Sequence, residues 1–245
     1  MGVLNTNIAK LNIRISHEYA YIERICRRYL SSVDAAEYEK SIDIDVSVSE
    51  EDLVAEKPLL STANGSEPHP AMVEAMAIFR KIAEALPDFD CFLMHGSAVA
   101  VDGQGYMFTA PSGTGKSTHV SLWRERFGER AVMVNDDKPF IRLSDDGIFV
   151  CGSPWNGKHG LGDNICAPLK AICFLNRGEE NSISPVTQHD AFPSLLRQIY
   201  RPADPAALEK TIRLIDRVST ETGLYKLYCN MEPEAAEVSY AGMNC

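Results

Sequence analysis

The chain has 245 residues, 45% of them hydrophobic, which is enough to bury the core of one domain, or of one domain with an added lobe. Its 24 basic and 34 acidic residues give a formal charge of −10, which opposes contact with the phosphates of nucleic acids and of anionic membranes. We therefore expect neither as a partner. Because the sequence contains no signal-peptide pattern and no long apolar run, we expect a cytoplasmic protein.

The cysteines predict no special chemistry. None of the seven belongs to a C-x-x-C pair, and most stand in apolar runs such as Ile172-Cys173-Phe174. We therefore expect reduced core side chains and no zinc site. The seven positions are Cys26, Cys91, Cys151, Cys166, Cys173, Cys229 and Cys245.

Residues 1–90 predict an α+β lobe. Alternation of apolar and polar residues indicates strands, and helical spacing of apolar residues indicates helices. The segment 60–70, rich in Ser, Asn, Gly and Pro, predicts a loop or a lobe boundary. The predicted elements of the lobe are strands at 11–15 and 42–48 and helices at 19–30 and 71–86.

Residues 91–245 predict a second, strand-rich domain. Asp102-Gly103-Gln104 and Ser144-Asp145-Asp146-Gly147 are hairpin signals between apolar runs. The predicted strands are 91–101, 105–110, 131–134, 140–143, 148–151, 169–175 and 225–229, and the predicted helices are 118–127, 191–200 and 205–220.

The run 110–117, APSGTGKS, fits the phosphate-binding pattern G-x-x-x-x-G-K-[ST] except that Ala110 replaces the first glycine. In this pattern small residues let backbone N–H groups curl round a phosphate, Lys116 reaches the outer phosphates, and the Ser117 hydroxyl binds Mg²⁺. A predicted strand precedes the run and a predicted helix follows it, as the pattern requires. The expected nucleotide-binding residues are Ser112, Gly113, Thr114, Gly115, Lys116, Ser117 and Thr118.

Two adjacent acids follow the next apolar strand. In the run Val134-Asn135-Asp136-Asp137, one carboxylate can coordinate Mg²⁺ while its neighbour orients or deprotonates an acceptor hydroxyl. The residues alone do not decide which of Asp136 and Asp137 holds the metal and which serves the acceptor. The alternative is a solvated Asn-Asp-Asp turn.

Three further features are candidates. His95, in His95-Gly96, opens the hairpin that leads to the phosphate-binding run, and Gly96 leaves space for an approach to the imidazole; the alternative is a satisfied core histidine.

The run 152–162 contains four glycines, Trp155 and Lys158. It predicts a flexible cover over an anionic substrate, with Lys158 as a catalytic residue; the alternative is a surface connection. Arg197 and Arg201 are either phosphate ligands or solvated helix charges.

Together, His95-Gly96, Ser112 to Ser117 and Asp136-Asp137 resemble the catalytic domain of HPr kinase/phosphorylase and, more distantly, phosphoenolpyruvate carboxykinase. The run that begins Gly152-Ser153-Pro154 is similar to a bacterial branch related to that kinase. The resemblance covers about residues 91–178, and the chain departs from the family pattern at Ala110 and at Thr118, where the family tends to have Glu.

This resemblance implies an α/β fold of the phosphoenolpyruvate carboxykinase-like P-loop type with strand hairpins, beside the N-terminal α+β lobe. It implies that Lys116 and the loop amides bind ATP phosphates, that Ser117 and Asp136 hold Mg²⁺, and that His95 with Asp137 serves the attacking hydroxyl or phosphate. We therefore expect a kinase that uses ATP and Mg²⁺ to phosphorylate a hydroxyl, most simply a serine of a peptide, protein or small molecule.

Two other functions stay open at this point. One is a nucleotide-binding regulatory module without efficient transfer, and the other is a phosphatase or phosphorylase that uses the same site in reverse. The sequence also leaves open the acceptor, the choice between ATP and GTP, and whether the protein forms an oligomer.

Overall fold

The computed structural model describes residues 2–60, 66–157 and 160–244. The chain divides into two compact units, Met1–Leu86 and Pro87–Cys245. Lys158, the catalytic candidate of the glycine-rich run, lies outside the described residues. Among the described residues, none of the helices combines the length and the hydrophobicity needed to cross a bilayer.

The N-terminal unit is built on a three-stranded sheet in which β2 is central, antiparallel to β1 and parallel to β3. Every second side chain of β2 is buried, as the alternation predicts. Strand β1 and the two short helices on either side of β3 were not predicted. The elements are β1 (Gly2–Ile8), β2 (Leu11–His17), α1 (Ala20–Cys26), α2 (Ala35–Tyr38), β3 (Ile44–Val46), α3 (Glu50–Glu56) and α4 (Pro70–Ala85).

The C-terminal unit mixes strands and helices, which confirms the predicted α/β class. It contains β4 (Cys91–Leu93), β5 (Ser97–Val101), β6 (Gln104–Thr109), α5 (Lys116–Phe127), β7 (Ala131–Asn135), β8 (Phe140–Ser144), β9 (Gly147–Cys151), β10 (Cys166–Arg177), β11 (Ser182–Pro185), α6 (Gln188–Gln198), α7 (Pro205–Glu221), β12 (Gly223–Cys229) and α8 (Glu234–Met243). Strand β11 and helix α8 were not predicted.

Nine of the described strands form one sheet, and their order brings several loops to the same edge of it. The path is β4-β8-β9-β10-β6-β5-β7, with β12 paired to β10 and β11 paired to β12. Strand β10 is parallel to both β6 and β12, and β5 is antiparallel to both β6 and β7. Strands β7, β6, β10 and β12 therefore run in one direction, and the segments that follow them share an edge, where α/β proteins bind ligands.

Aromatic packing fixes helix α5 on this sheet. The Trp123 side chain is fully buried, with its ring centroid 4.9 Å from that of Tyr106 and 5.1 Å from that of Phe108, both on β6. Its indole Nε1 donates a hydrogen bond of 2.8 Å to the Ser239 hydroxyl of α8. A helix held this firmly gives the loop before it, between β6 and α5, a fixed end.

Two expectations were wrong. The strand expected at 91–101 is interrupted at Met94–Gly96, so that His95 lies between β4 and β5 rather than within a strand. Cys151 and Cys166, expected to be reduced, face each other across the antiparallel pair of β9 and β10 and form a disulfide. Such directly opposed residues are close enough for their sulfur atoms to bond. Cys26, Cys91, Cys173 and Cys229 are free and buried, and Cys245 lies outside the described residues.

Candidate active site

The phosphate loop, residues 110–117, connects the end of β6 to the start of α5. Gly113 has a φ of +79° and Gly115 a φ of +122°, conformations that residues with a Cβ rarely adopt. Because of this backbone path, the loop leads into the first turn of α5, whose free N–H groups and helix dipole favour an anion. Local sequence is enough to specify such a site.

The Lys116 side chain folds back over the phosphate loop. Its Nζ donates hydrogen bonds to the carbonyl oxygens of Ala110 at 2.9 Å and Pro111 at 3.4 Å. Burial lowers the pKa of this ammonium group, and the negative charge of Asp137 acts in the opposite direction. A bound phosphate would give the partly desolvated cation a stronger partner than two carbonyls.

Arg177, which the sequence analysis did not single out, braces the same loop from the end of β10. Its Nη2 donates to the carbonyl of Gly113 at 2.6 Å and its Nε to the carbonyl of Thr114 at 3.2 Å. The only signal in the sequence is a cation at the carboxyl end of a predicted buried strand. Which loop that strand would face depends on strand order, which the sequence did not reveal.

The carboxylate turn, residues 135–138, follows β7 at the same edge of the sheet. The fully buried Asn135 organises it, because its Oδ1 accepts hydrogen bonds from the backbone N–H of Asp137 at 2.8 Å and of Lys138 at 2.6 Å. Its Nδ2 donates to the carbonyl and hydroxyl oxygens of Ser153, at 3.0 and 3.2 Å. Asn135 and Ser153 therefore fix the backbone of the turn that carries both acids, a role that the sequence analysis missed.

Asp136 is buried and carries one unsatisfied oxygen. Its Oδ1 accepts a 2.6 Å hydrogen bond from the N–H of Gly157, and the Leu161 backbone also bonds to the carboxylate. Its Oδ2 has no partner among the described residues. A Cβ on Gly157 would lie 3.2 Å from this oxygen, so glycine keeps a side chain away from it. Burial raises the pKa of Asp136, and the backbone hydrogen bonds only partly offset this effect.

These features fit a magnesium ion. Ser117 and Asp136 line one cleft of about 580 Å³, so a residue with a hydroxyl and a residue with a carboxylate border the same space. The described residues contain no cluster of three or more His, Cys, Asp or Glu side chains that would hold a metal without help. Mg²⁺ commonly binds through one or two protein oxygens together with phosphate oxygens and water, and this donor set matches that habit.

Asp137 points away from its neighbour and belongs to a charged group. Its Oδ1 lies 3.4 Å from His95 Nε2 and its Oδ2 lies 2.6 Å from Lys138 Nζ. Burial favours a higher pKa for Asp137, but the His95 hydrogen bond and the Lys138 charge outweigh it and lower the pKa to about 2. The carboxylate is therefore ionised near neutral pH, a quarter exposed, and able to accept a hydrogen bond from a hydroxyl.

Gln198 holds His95 in place and was not predicted as part of the site. Its side-chain Oε1 lies 3.1 Å from His95 Nδ1, and its carbonyl accepts the His95 N–H at 2.7 Å. A Cβ on Gly96 would lie 2.7 Å from Met107 Cε and 2.8 Å from the Phe108 carbonyl, so glycine is needed there for close packing. Its role in access to the imidazole stays a prediction.

The other candidates divide into those near the site and those without a contact there. The run 152–162 reaches the site, since Gly157 and Leu161 contact Asp136. Thr118 lines the cleft that Ser117 and Asp136 share. Arg197 donates to Ser194 Oγ at 2.9 Å on its own helix, and Arg201 is exposed.

Comparisons with known proteins show a weak structural likeness and no match by sequence. No protein-family model matches the chain, and the search of curated proteins finds no match. Among solved structures, an HPr(Ser) kinase/phosphatase from Coxiella burnetii matches with 15% identity and a TM-score of 0.30, over 53% of this chain and 98% of that one. A likeness this weak assigns no function to this chain.

Proposed function

We propose that this chain is a phosphotransferase that uses ATP and Mg²⁺ to phosphorylate a hydroxyl group, most simply a serine of a peptide, protein or small molecule. One observation carries the proposal. At one edge of the sheet the phosphate loop, an unsatisfied buried oxygen of Asp136 and an ionised Asp137 in contact with His95 lie on neighbouring segments. Phosphoryl transfer needs this set of parts: an anion cradle, a metal carboxylate and an acceptor-orienting group.

Each residue has a defined task in this scheme. The phosphate loop amides and Lys116 hold the phosphates, and Ser117 with Asp136 Oδ2 would hold Mg²⁺, which neutralises charge on phosphate oxygens. Asp137 accepts a hydrogen bond from the acceptor hydroxyl and aligns its oxygen with the phosphorus. With a pKa of about 2, Asp137 is a weak base, so orientation is its larger contribution.

The His95–Asp137 contact also separates this proposal from a regulatory module. Binding and sensing a nucleotide require the phosphate loop and a metal carboxylate, but they do not require a second acid held by an imidazole at 3.4 Å. That contact instead controls the charge of a group beside the reacting phosphate. Among the alternatives raised by the sequence, transfer is therefore favoured over binding alone.

The first test removes the Lys116 charge. Because a hydrogen bond to a charged group contributes roughly 1.5–3 kcal/mol, Lys116→Ala should weaken Mg·ATP binding by about 10- to 100-fold, measured by titration calorimetry. Lys210→Ala, which removes an exposed cation paired with Asp88, is the control and should bind normally. Transfer of labelled γ-phosphate to serine peptides should fall with the Lys116 variant. Unchanged ATP affinity in that variant would contradict the proposal.

A further inference from the structure

A second cleft lies on the other side of the phosphate loop from Asp136. It has a volume of about 480 Å³ and extends over the ends of β10 and β12, whereas Asp136 follows β7. In the sheet, β6 and its loop stand between these two sides. We call this space the nucleoside cleft; beside the phosphate loop, its walls include Leu175, Arg177, Gly178, Cys229, Asn230 and Met231.

The direction of a bound nucleotide follows from the positions of the two acids. The phosphoryl group that is transferred must face Asp136 and Asp137, because these side chains serve the metal and the acceptor. The nucleoside is attached to the opposite end of the triphosphate. It must therefore leave the phosphate loop on the side away from the carboxylate turn, which is the side of β10 and β12.

The walls of the nucleoside cleft suit a flat, largely apolar group. Leu175 and Cys229 are buried at its floor, and Met231 is 78% exposed at its rim. The polarisable sulfur of a methionine packs well against aromatic rings. Arg177, whose Nε and Nη2 are used on loop carbonyls, adds a planar cation that can lie against a ring.

From these observations we infer that the nucleoside cleft binds the base and ribose of the nucleoside triphosphate, with Met231 covering the base. This inference rests on the proposed function, since the triphosphate must occupy the phosphate loop. It assigns to the segment after β12 a role in recognising the substrate.

The polar groups near the rim indicate weak selection between bases. The Asn230 side chain is already engaged, because its Nδ2 donates to the Glu179 carbonyl at 3.0 Å and its Oδ1 accepts the Glu232 N–H at 3.0 Å. The Gly178 N–H donates to the Cys229 carbonyl at 2.9 Å. Stacking contacts discriminate little between bases, since every base has a π-face. ATP and GTP should therefore bind with affinities within about fivefold of each other.

The test compares ATP, GTP and inorganic tripolyphosphate as ligands of the full chain, by titration calorimetry with Mg²⁺. Tripolyphosphate probes the phosphate loop alone, and the ratio of the ATP affinity to the tripolyphosphate affinity reports the nucleoside cleft. Met231→Ala should lower this ratio about fivefold through lost apolar burial, and Met231→Trp should restore or raise it. Because Met231 is so exposed, both variants should fold normally.

Arg124→Ala is the matched control, since Arg124 is an exposed residue that lines the cleft on the Asp136 side. It should leave the ratio unchanged. An unchanged ratio in both Met231 variants, or a ratio that falls only in the Arg124 variant, would overturn the inference and leave the proposed function standing. A wild-type protein that binds neither ATP nor tripolyphosphate would overturn both.

Discussion

The phosphate loop and the carboxylate turn lie at the same edge of one sheet but are built in different ways. The phosphate loop is partly exposed, its shape depends on its own glycines, and Arg177 from the end of β10 braces it. The carboxylate turn is buried or half-buried and is contacted by side chains from other segments, since Ser153 bonds to Asn135 and His95, itself held by Gln198, contacts Asp137. Anion binding can thus be encoded locally, whereas directing two adjacent acids to different tasks requires the tertiary fold.

The largest effect expected from this difference is on transfer rather than on binding. Asp137→Asn should slow phosphoryl transfer by about 10²-fold or more and leave ATP affinity nearly unchanged, because Asp137 serves the acceptor and not the nucleotide. His95→Ala should act in the same direction through its contact with Asp137. Single-turnover transfer rates together with ATP titrations measure both quantities.

Asp145→Asn is a suitable control, because Asp145 lies in the exposed turn between β8 and β9. That variant should transfer phosphate at the normal rate. If Asp137→Asn weakens ATP binding and transfer by the same factor, the two regions do not divide binding from acceptor chemistry as their construction indicates.

The same difference in construction explains what the sequence could predict. The glycines, Lys116 and Ser117 form one local pattern, and an apolar strand that ends in two acids is also local, so both candidates could be named. Their side-chain directions could not. His95 and Gln198 are 103 residues apart, and Asn135 and Ser153 are 18 apart, so these contacts depend on strand order and register.

The elements show the same limit. Helix α4 has a long amphipathic run and formed near the predicted bounds, and the Asp-Gly turn joins β5 and β6 as predicted, although β5 begins at Ser97 rather than at 91. Strand β11 has a weak local pattern, and it pairs with β12, which is distant in the chain. Helices α2 and α3 begin after Asp34 and Ser49, capping residues that were overlooked. The disulfide was missed for a related reason, since Cys151 and Cys166 become neighbours only through the register of β9 and β10.

The disulfide offers a way to disturb the carboxylate turn while sparing the phosphate loop. This disulfide joins the two ends of the segment 151–166, in which the backbone groups of Gly157 and Leu161 bond to Asp136. For a sequence separation of 15 residues, the double variant Cys151→Ser with Cys166→Ser should lower the free energy of unfolding by about 3 kcal/mol, measured with urea. The Mg²⁺-dependent part of ATP affinity should fall as well, because the backbone groups that hold Asp136 become less ordered.

A reducing agent supplies the control for this pair. It should destabilise the native protein to a similar degree and have no effect on the double variant, whose remaining described cysteines are free. Equal losses of ATP affinity with and without Mg²⁺ would show that the disulfide supports the phosphate loop too, contrary to the separation described above.

The smallest expected effects are on stability. Replacing Asp136 and replacing Asp137 should change the free energy of unfolding in opposite directions. The folded protein raises the pKa of Asp136, so it binds the proton more tightly than the unfolded chain, and ionisation above that pKa is destabilising. Without Mg²⁺ at pH 7, Asp136→Asn should therefore raise the melting temperature. This gain should disappear as the pH falls through the folded pKa and protonates the native carboxylate.

Asp137 has a lowered pKa of about 2, so its ionised form stabilises the fold above the unfolded value of 3.8, and this contribution is lost as the pH falls towards 2. Asp137→Asn should thus cost about 2 kcal/mol of unfolding free energy at pH 7, from 1.36 kcal/mol per pKa unit. Mg²⁺ with ATP should stabilise the native protein and the Asp137 variant but add little to the Asp136 variant, which lacks the metal carboxylate. Thermal melts at several pH values measure these changes in melting temperature. A lower melting temperature for Asp136→Asn would mean that the ionised carboxylate stabilises the fold, contrary to a role as a metal ligand.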